Sequence, residues 1–306
     1  MQLLEKSILF LEAPGSRCFP LMGSLGWSSC IMIGKIVAEA EIYRKKLALV
    51  EPTNARALND ELYRLLHLRS RAATSGAQPV SSMIAAEKIF GYSERLEYGW
   101  LPKPPDRNGD AIFAKNGLHL RLARQRILED GSFYLPAIRD RYMPGFAALL
   151  SPGEIPPSGT RIYLAARYER ISVLGRIVSE NIGHVADSYV VKALNTASEY
   201  PRSDAITIYL ANTARKATLE MLDRLKVADY LLAPVANSAF ARVEPSGVAW
   251  MESVAGSSGG YERASCVARA LYRQMAEGTE STLEGAIRKE FEAAGINATH
   301  PNLYLD

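Results

Sequence analysis

Two apolar, β-rich runs at residues 188–194 and 204–210 are joined only by residues 195–203, and this short connection constrains the fold more than any other feature. A parallel strand pair needs a crossover of a dozen or more residues, which is usually a helix. The loop, which contains Pro201, is too short for such a crossover. The sequence therefore predicts an antiparallel pair, and with it a fold of the α+β class.

The rest of the chain divides into a helical part and a mixed part. Apolar residues recur at helical spacing within residues 31–50 and 55–73, whereas segments such as "AIFAKNGLHLRLA" (111–123) are typical of strands with a turn at "KNG". Further along, we expect a strand at 161–166 and helices at about 169–183 and 214–227. The predicted fold is a twisted, largely antiparallel sheet flanked by helices, with a helical N-terminal layer.

This division predicts two domains, a helical N-terminal region (1–91) and a second domain (92–306), with a linker at 73–81. The polar face of the N-terminal helices is either a solvated surface or a docking surface for a peptide or partner. The last helix has clear end signals: Ser281 and Glu284 form a capping-box pattern, and Gly295 follows the helix as its C′ residue.

Composition excludes several classes of function. The chain has 306 residues and a net charge of +3, without a dense Lys/Arg block, which argues against nucleic-acid binding. Cys18, Cys30 and Cys266 are widely spaced, and the four histidines lack metal-ligand spacing, so neither a disulfide framework nor a metal site is predicted. No apolar run approaches the ~18 residues of a membrane span. We expect a cytoplasmic protein without a cofactor.

Common catalytic signatures are missing from the sequence: there is no phosphate-binding P-loop, dinucleotide fingerprint or nucleophile elbow. The segment "GSSGG" (256–260), ahead of Arg263, is either an anion-binding backbone nest or simply a flexible loop.

Lys192 is the residue that most needs an explanation, because lysine is rarely buried without a partner. It is either a strand residue whose head reaches water or a group that does chemistry. If Lys192 pairs with the 205–207 region, its head shares a sheet face with Thr207 and Tyr209. A slip of one residue would place it on the other face, among Ile206 and Ile208.

The order and spacing of several segments from residue 92 onward resemble the HopA-type family of type III effector-like proteins. The segments are "YGW" (98–100), "NGLHL" (116–120), "MPGF" (143–146), "RIYL" (161–164), "VVKALNTASEYPRSDAITIYL" (190–210), "SGGYER" (258–263) and "HPNLYL" (300–305). Homologues in this family act as the lyase component in the biosynthesis of class V lanthipeptides and thioamitides. The family is in turn similar to the phosphothreonine lyases of bacterial effectors.

The resemblance implies a lyase that removes phosphate from phosphoserine or phosphothreonine of a precursor peptide, leaving dehydroalanine or dehydrobutyrine. It also implies a partner, an aminoglycoside-phosphotransferase-like kinase that first installs the phosphate. Lys192 matches the family's base, which acts only while uncharged, a state that burial and nearby arginines favour. The resemblance assigns phosphate binding to Arg202, Arg263 and Arg161. Asp204 would orient one of these arginines. Tyr209 or Tyr163 would donate a proton to the leaving oxygen.

Effector lyases of this chemistry are expected to use a histidine as the acid, and the sequence offers only His184, ahead of the Lys192 strand, and the remote His119. The alternative to an enzyme is a non-catalytic protein, either a type III effector or a pseudo-lyase that binds phosphopeptides.

Overall fold

The computed structural model describes residues 27–47, 55–69, 83–97, 99–115, 118–122, 127–152, 159–254, 258–277 and 282–305. The α-helices are α1 (Trp27–Leu47), α2 (Ala55–Leu62), α3 (Ala86–Phe90), α4 (Ile171–Asn181), α5 (Arg215–Arg224), α6 (Gly259–Glu277) and α7 (Leu283–Ala293). A π-helical segment, Tyr63–Leu68, continues α2 directly.

The strands are β1 (Glu94–Glu97), β2 (Leu101–Lys103), β3 (Ala111–Lys115), β4 (Leu118–Leu122), β5 (Phe133–Pro136), β6 (Ile138–Met143), β7 (Phe146–Leu150), β8 (Gly159–Leu164), β9 (Tyr189–Leu194), β10 (Ile206–Leu210), β11 (Arg242–Val243) and β12 (Ala249–Ser253). Seven of them form the main sheet in the order β11-β12-β8-β10-β9-β7-β6, and every neighbouring pair is antiparallel. The predicted α+β class and antiparallel sheet are confirmed.

The predicted elements agree with the structure to within a few residues. The strand expected at 161–166 is β8, and those expected at 188–194 and 204–210 are β9 and β10. The predicted linker at 73–81 and the first two residues of the "GSSGG" segment lie outside the described residues, as does the turn centred on Asn116 and Gly117.

The central strands of the main sheet are buried on both faces. One face packs Val191, Ile206 and Ile208 against α3, α4 and α5 in a single apolar core. The opposite face packs Tyr163 and Met251 of the sheet against α1, α2, the π-helical segment, α6 and α7 in a second core. The sheet therefore separates two layers, and the side chains of one strand alternate between them.

Helix α7 shows how local sequence sets the ends of an element. Thr282 is the N-cap residue, and its side chain accepts a hydrogen bond from the Gly285 N–H at 3.2 Å. The predicted cap, Ser281, lies outside the described residues. At the other end Gly295 has φ +70° and the Ile296 N–H bonds the Phe291 carbonyl, so Gly295 is the C′ residue of a Schellman motif, as predicted. No helix in the described ranges is long and apolar enough to cross a membrane.

Candidate active site

Lys192 lies in a row of side chains that crosses the centre of the main sheet. It pairs directly with Thr207 on β10, and Thr207 pairs with Tyr163 on β8. Tyr209 and Arg161 pair with each other one step further along the same face. Of the two registers that the sequence leaves open, the structure has the one that assembles these polar side chains.

The head of Lys192 is buried against aromatic rings, and only 8% of the residue is exposed. Its Nζ lies 4.0 Å from the centroid of the Phe146 ring and 5.7 Å from that of the Tyr209 ring. The Arg161 guanidinium also lies over the Tyr209 ring, 5.1 Å from its centroid. The ring of Tyr209 thus lies between two cationic side chains.

Arg202 and Asp204 form a bidentate ion pair at the start of β10. The Arg202 Nε and Nη2 atoms each donate to a different Asp204 oxygen at 2.8 Å. Burial alone would raise the pKa of the Asp204 carboxyl, but the charge and hydrogen bonds of Arg202 outweigh it, so that pKa lies below its usual value. Glu199 accepts from the remaining Arg202 nitrogen, Nη1, at 3.0 Å. The Arg202 guanidinium is therefore held by two carboxylates.

Arg263 on α6 is completely buried. It donates to the Pro301 carbonyl from Nε and to the Gly259 carbonyl from Nη1 at 2.9 Å, and its guanidinium lies 4.8 Å from the Tyr304 ring. Its Nη2 atom has no hydrogen-bond partner within the described structure. These contacts are to neutral groups, so they leave the charge of Arg263 uncompensated.

Two hydroxyls of the central row also lack partners. Both the Tyr163 Oη and the Thr207 Oγ1 atoms are buried, and neither makes a hydrogen bond in the described part of the chain. Burial raises the pKa of Tyr163 well above its ordinary value, so this phenol stays protonated. An unpaired buried hydroxyl costs free energy, which is a reason to expect that a ligand supplies the missing bond.

His67, which sequence reasoning did not single out, belongs to the same cluster. The ring is buried, packs edge-to-face on Tyr163 with centroids 5.3 Å apart, and stacks on Tyr63 at 5.2 Å. Burial lowers the pKa of His67 to about 3; the charge of Asp204 opposes this, and those of Arg161, Arg202 and Arg263 add to it. Asp204 is also within electrostatic range of Lys192, so the carboxylate connects the histidine to the lysine.

The π-helical segment is tethered to the Lys192 hairpin by Ser203, the residue between Arg202 and Asp204. The Ser203 N–H donates to the Leu68 carbonyl at 2.9 Å, and its hydroxyl donates to the His67 carbonyl. A π-helical turn inserts one extra residue relative to an α-helix, and such turns are frequent at functional sites. Here it ends a leucine-rich helix with three consecutive buried residues, Leu66, His67 and Leu68.

The two histidines that the sequence suggested lie elsewhere. His184 is exposed in the turn after α4, and His119 is exposed on β4 of the separate three-stranded sheet. One feature of the sequence could have indicated His67: it lies inside an apolar helical pattern, and a polar residue buried there needs a hydrogen-bond partner. Among the described residues there is no group of three or more side chains that could hold a metal ion.

Gly260 in the predicted "SGGYER" segment has a steric reason to be glycine. A Cβ atom added to it would lie 2.4 Å from Cγ of the His67 ring. The backbone of α6 therefore closes directly on the histidine, and a larger residue would displace one of them.

The fold and the cluster together define an α+β protein with a buried, largely cationic site between an antiparallel sheet and a helical layer. The chain belongs to the HopA1 effector protein family, whose family model matches residues 141–303. His67 lies outside the matched segment.

Solved structures of two bacterial effectors are similar to this chain. The effector protein from Pseudomonas syringae pv. tomato strain DC3000 is 12% identical with a TM-score of 0.51, and the match covers 90% of this chain and 100% of that one. The effector protein from Pseudomonas syringae pv. syringae strain 61 is 11% identical with a TM-score of 0.46, over 92% and 99% of the two chains. At such identities the first likeness shows the fold alone. No curated protein matches the chain.

Proposed function

We propose that the protein is a lyase that eliminates phosphate from phosphoserine or phosphothreonine in a peptide, leaving dehydroalanine or dehydrobutyrine. The expected biological substrate is a precursor peptide of the lanthipeptide type, phosphorylated by an aminoglycoside-phosphotransferase-like kinase. Membership of the HopA1 family supports a related role. The chemistry itself is argued from the Lys192 cluster.

The observation that carries the proposal is an excess of buried positive charge beside unpaired hydroxyls. Asp204 balances Arg202, whereas the contacts of Arg263 are to carbonyls and a tyrosine and supply no balancing charge. Uncompensated buried charge is costly, and a bound anion would relieve it. The Tyr163 and Thr207 hydroxyls, which make no hydrogen bond in the described part of the chain, would donate to such an anion.

The elimination needs a base close to the phosphate site, and Lys192 is the amine in that position. As the free amine, its Nζ takes the proton from Cα of the phosphorylated residue. The electrons of the broken C–H bond form the Cα=Cβ double bond, and the Cβ–O bond breaks. Neither water nor a metal ion takes part in this step.

His67 provides the proton for the departing oxygen in this proposal. In the resting protein its ring is neutral, because burial and the arginines hold its pKa at about 3. A phosphate dianion beside the ring opposes the arginines and favours its protonated form. His67 then gives a proton to the bridging oxygen, hydrogen phosphate leaves, and solvent returns the proton from the Lys192 ammonium to the bulk and from the bulk to His67.

The other residues hold this arrangement together. Arg161 and Arg263 would bind the phosphate oxygens, and Tyr163 and Thr207 would donate to them. Because its nitrogens are engaged by Asp204 and Glu199, Arg202 would act mainly by its charge and by holding Asp204. Tyr209 would confine the amine of Lys192 rather than donate a proton.

The test is incubation of the purified protein with phosphoserine and phosphothreonine peptides, followed by mass spectrometry and a phosphate assay. Elimination gives a peptide lighter than the substrate by the mass of phosphoric acid, which a thiol then traps as an adduct. Hydrolysis would instead leave serine or threonine, which does not react with the thiol.

Lys192→Met and His67→Gln should each abolish elimination while leaving the circular dichroism spectrum unchanged. Full activity in Lys192→Met would overturn the assignment of the base. Tight phosphopeptide binding by the wild-type protein without any turnover, with and without the kinase, would establish the non-catalytic alternative.

A further inference from the structure

Three consecutive residues of the loop before β11 hold the end of the π-helical segment that carries His67. The Asn237 carbonyl accepts from Arg69 Nε at 2.9 Å, Ser238 Oγ lies 2.9 Å from His67 Nδ1, and the Ala239 N–H donates to the Leu66 carbonyl at 2.8 Å. A salt bridge from Arg69 to Glu39 ties the end of the π-helical segment to α1. These contacts hold the chain on both sides of His67, and the Ser238 bond orients its ring.

The contacts of Ser238 indicate which nitrogen of the ring carries the proton. Its Oγ atom already accepts a hydrogen bond from the Phe240 N–H at 3.2 Å. A hydroxyl also has one proton to donate, and in the described part of the chain the acceptor beside it is His67 Nδ1. If Nδ1 accepts, the proton of the neutral imidazole is on Nε2, at the edge of the ring away from Ser238.

We propose that Ser238 is a positioning residue that holds His67 in the Nε2–H form at rest and becomes the acceptor of an Nδ1–H when the ring is protonated. This inference rests on the proposed function, in which Nε2 gives up its proton to the departing phosphate. A hydroxyl can serve both states by rotating its own proton, whereas an ionised carboxylate can only accept. Ser238 is 1% exposed, so water does not compete for this bond.

The first test reads the protonation of the ring directly. The chain contains four histidines, so protein labelled with ¹⁵N-histidine gives a simple spectrum, and His67→Gln identifies the signals of His67. At neutral pH we expect one tautomer with the proton on Nε2. A proton on Nδ1 would overturn the proposal, whether or not the protein proves to be a lyase.

The second test links the bond to turnover. Ser238→Ala should lower kcat by about ten-fold with little change in KM, the effect of one lost hydrogen bond of ordinary strength. It should also give a mixture of tautomers, and Ser238→Thr, which keeps the hydroxyl, should restore both properties. Unchanged kcat in a folded Ser238→Ala protein would contradict the proposal, and if that variant does not fold the wild-type spectrum still decides it. A wild-type protein with the Nε2–H tautomer but no activity would refute the proposed function alone.

Discussion

The two faces of the main sheet are built from the same strands but differ in polarity. On β9 and β10, Val191, Ile206 and Ile208 enter an apolar core, while their neighbours Lys192 and Thr207 enter a polar cluster. Burial of the first set gains free energy, whereas in the second the buried Thr207 hydroxyl makes no hydrogen bond in the described part of the chain. The difference shows that residues adjacent in sequence can enter layers of opposite character, one apolar and one polar.

The sharpest test compares two adjacent residues of β9. Lys192→Met removes the proposed base and should lower kcat/KM by roughly 10³-fold or more, with the free energy of unfolding changed by less than about 1 kcal/mol. Val191→Ala creates a cavity in the apolar core and should lower that free energy by about 2 kcal/mol without changing kcat of the folded protein. Denaturant titrations and steady-state kinetics on both variants test the comparison, and the reverse pattern would refute it.

The next largest effect concerns stability on the polar face itself. Asp204→Asn leaves the Arg202 charge without its buried partner and should cost about 3–5 kcal/mol in the free energy of unfolding. Glu199→Gln is the matched control, because Glu199 bonds the same arginine but its side chain is 48% exposed. We expect that control to cost less than about 1 kcal/mol. Equal losses in urea titrations would show that burial of the pair is not what matters.

Gly260→Ala tests how closely the helical layer covers the polar face. The added methyl group would collide with the His67 ring and should destabilise the protein by about 1–3 kcal/mol, with loss of activity. Gly34 on α1 provides the control, since a Cβ there meets nothing within 4 Å, and Gly34→Ala should be neutral or stabilising. An active, fully stable Gly260→Ala protein would mean that His67 can move without consequence.

The last effect is a dependence of stability on pH that arises on the polar face. The pKa of His67 is lowered from 6.5 to about 3 by burial, so between these values only the unfolded chain takes up the proton. The free energy of unfolding should therefore fall as the pH falls below 6.5, by at most about 1.4 kcal/mol for each pH unit. Denaturant titrations of wild-type and His67→Gln protein between pH 4 and 7 measure this contribution as the difference between two curves. If stability depends on pH in the same way in both proteins, the pKa of His67 is not lowered by folding and its ring is in contact with water.

The sequence was sufficient for the fold class because the length of residues 195–203 excludes a parallel pair. It was not sufficient for the register, and the reason is physical. A strand buried on both faces has no alternation of polar and apolar residues, and "YVVKAL" is such a strand. Only the packed structure shows that Lys192 lies opposite Thr207.

The candidate site was predictable only in part, for a similar reason. Lys192, Arg202 and Asp204 are close in sequence, and a motif can bring them to notice. His67 is 171 residues away from Ser238, its hydrogen-bond partner, and no local pattern reports such a contact. Nor does the sequence tell which arginine is already neutralised, a property that depends on the carboxylates and carbonyls around each guanidinium.

The bond from the Ser203 hydroxyl to the His67 carbonyl spans 136 residues of chain. Contacts of such sequence separation form slowly, since much of the polypeptide must be ordered before they can close. During synthesis His67 leaves the ribosome long before the hairpin and before the helix that carries Gly260. The cluster around His67 therefore needs contacts between distant parts of the chain, and the appearance of the proposed activity after dilution from denaturant would report when those contacts are complete.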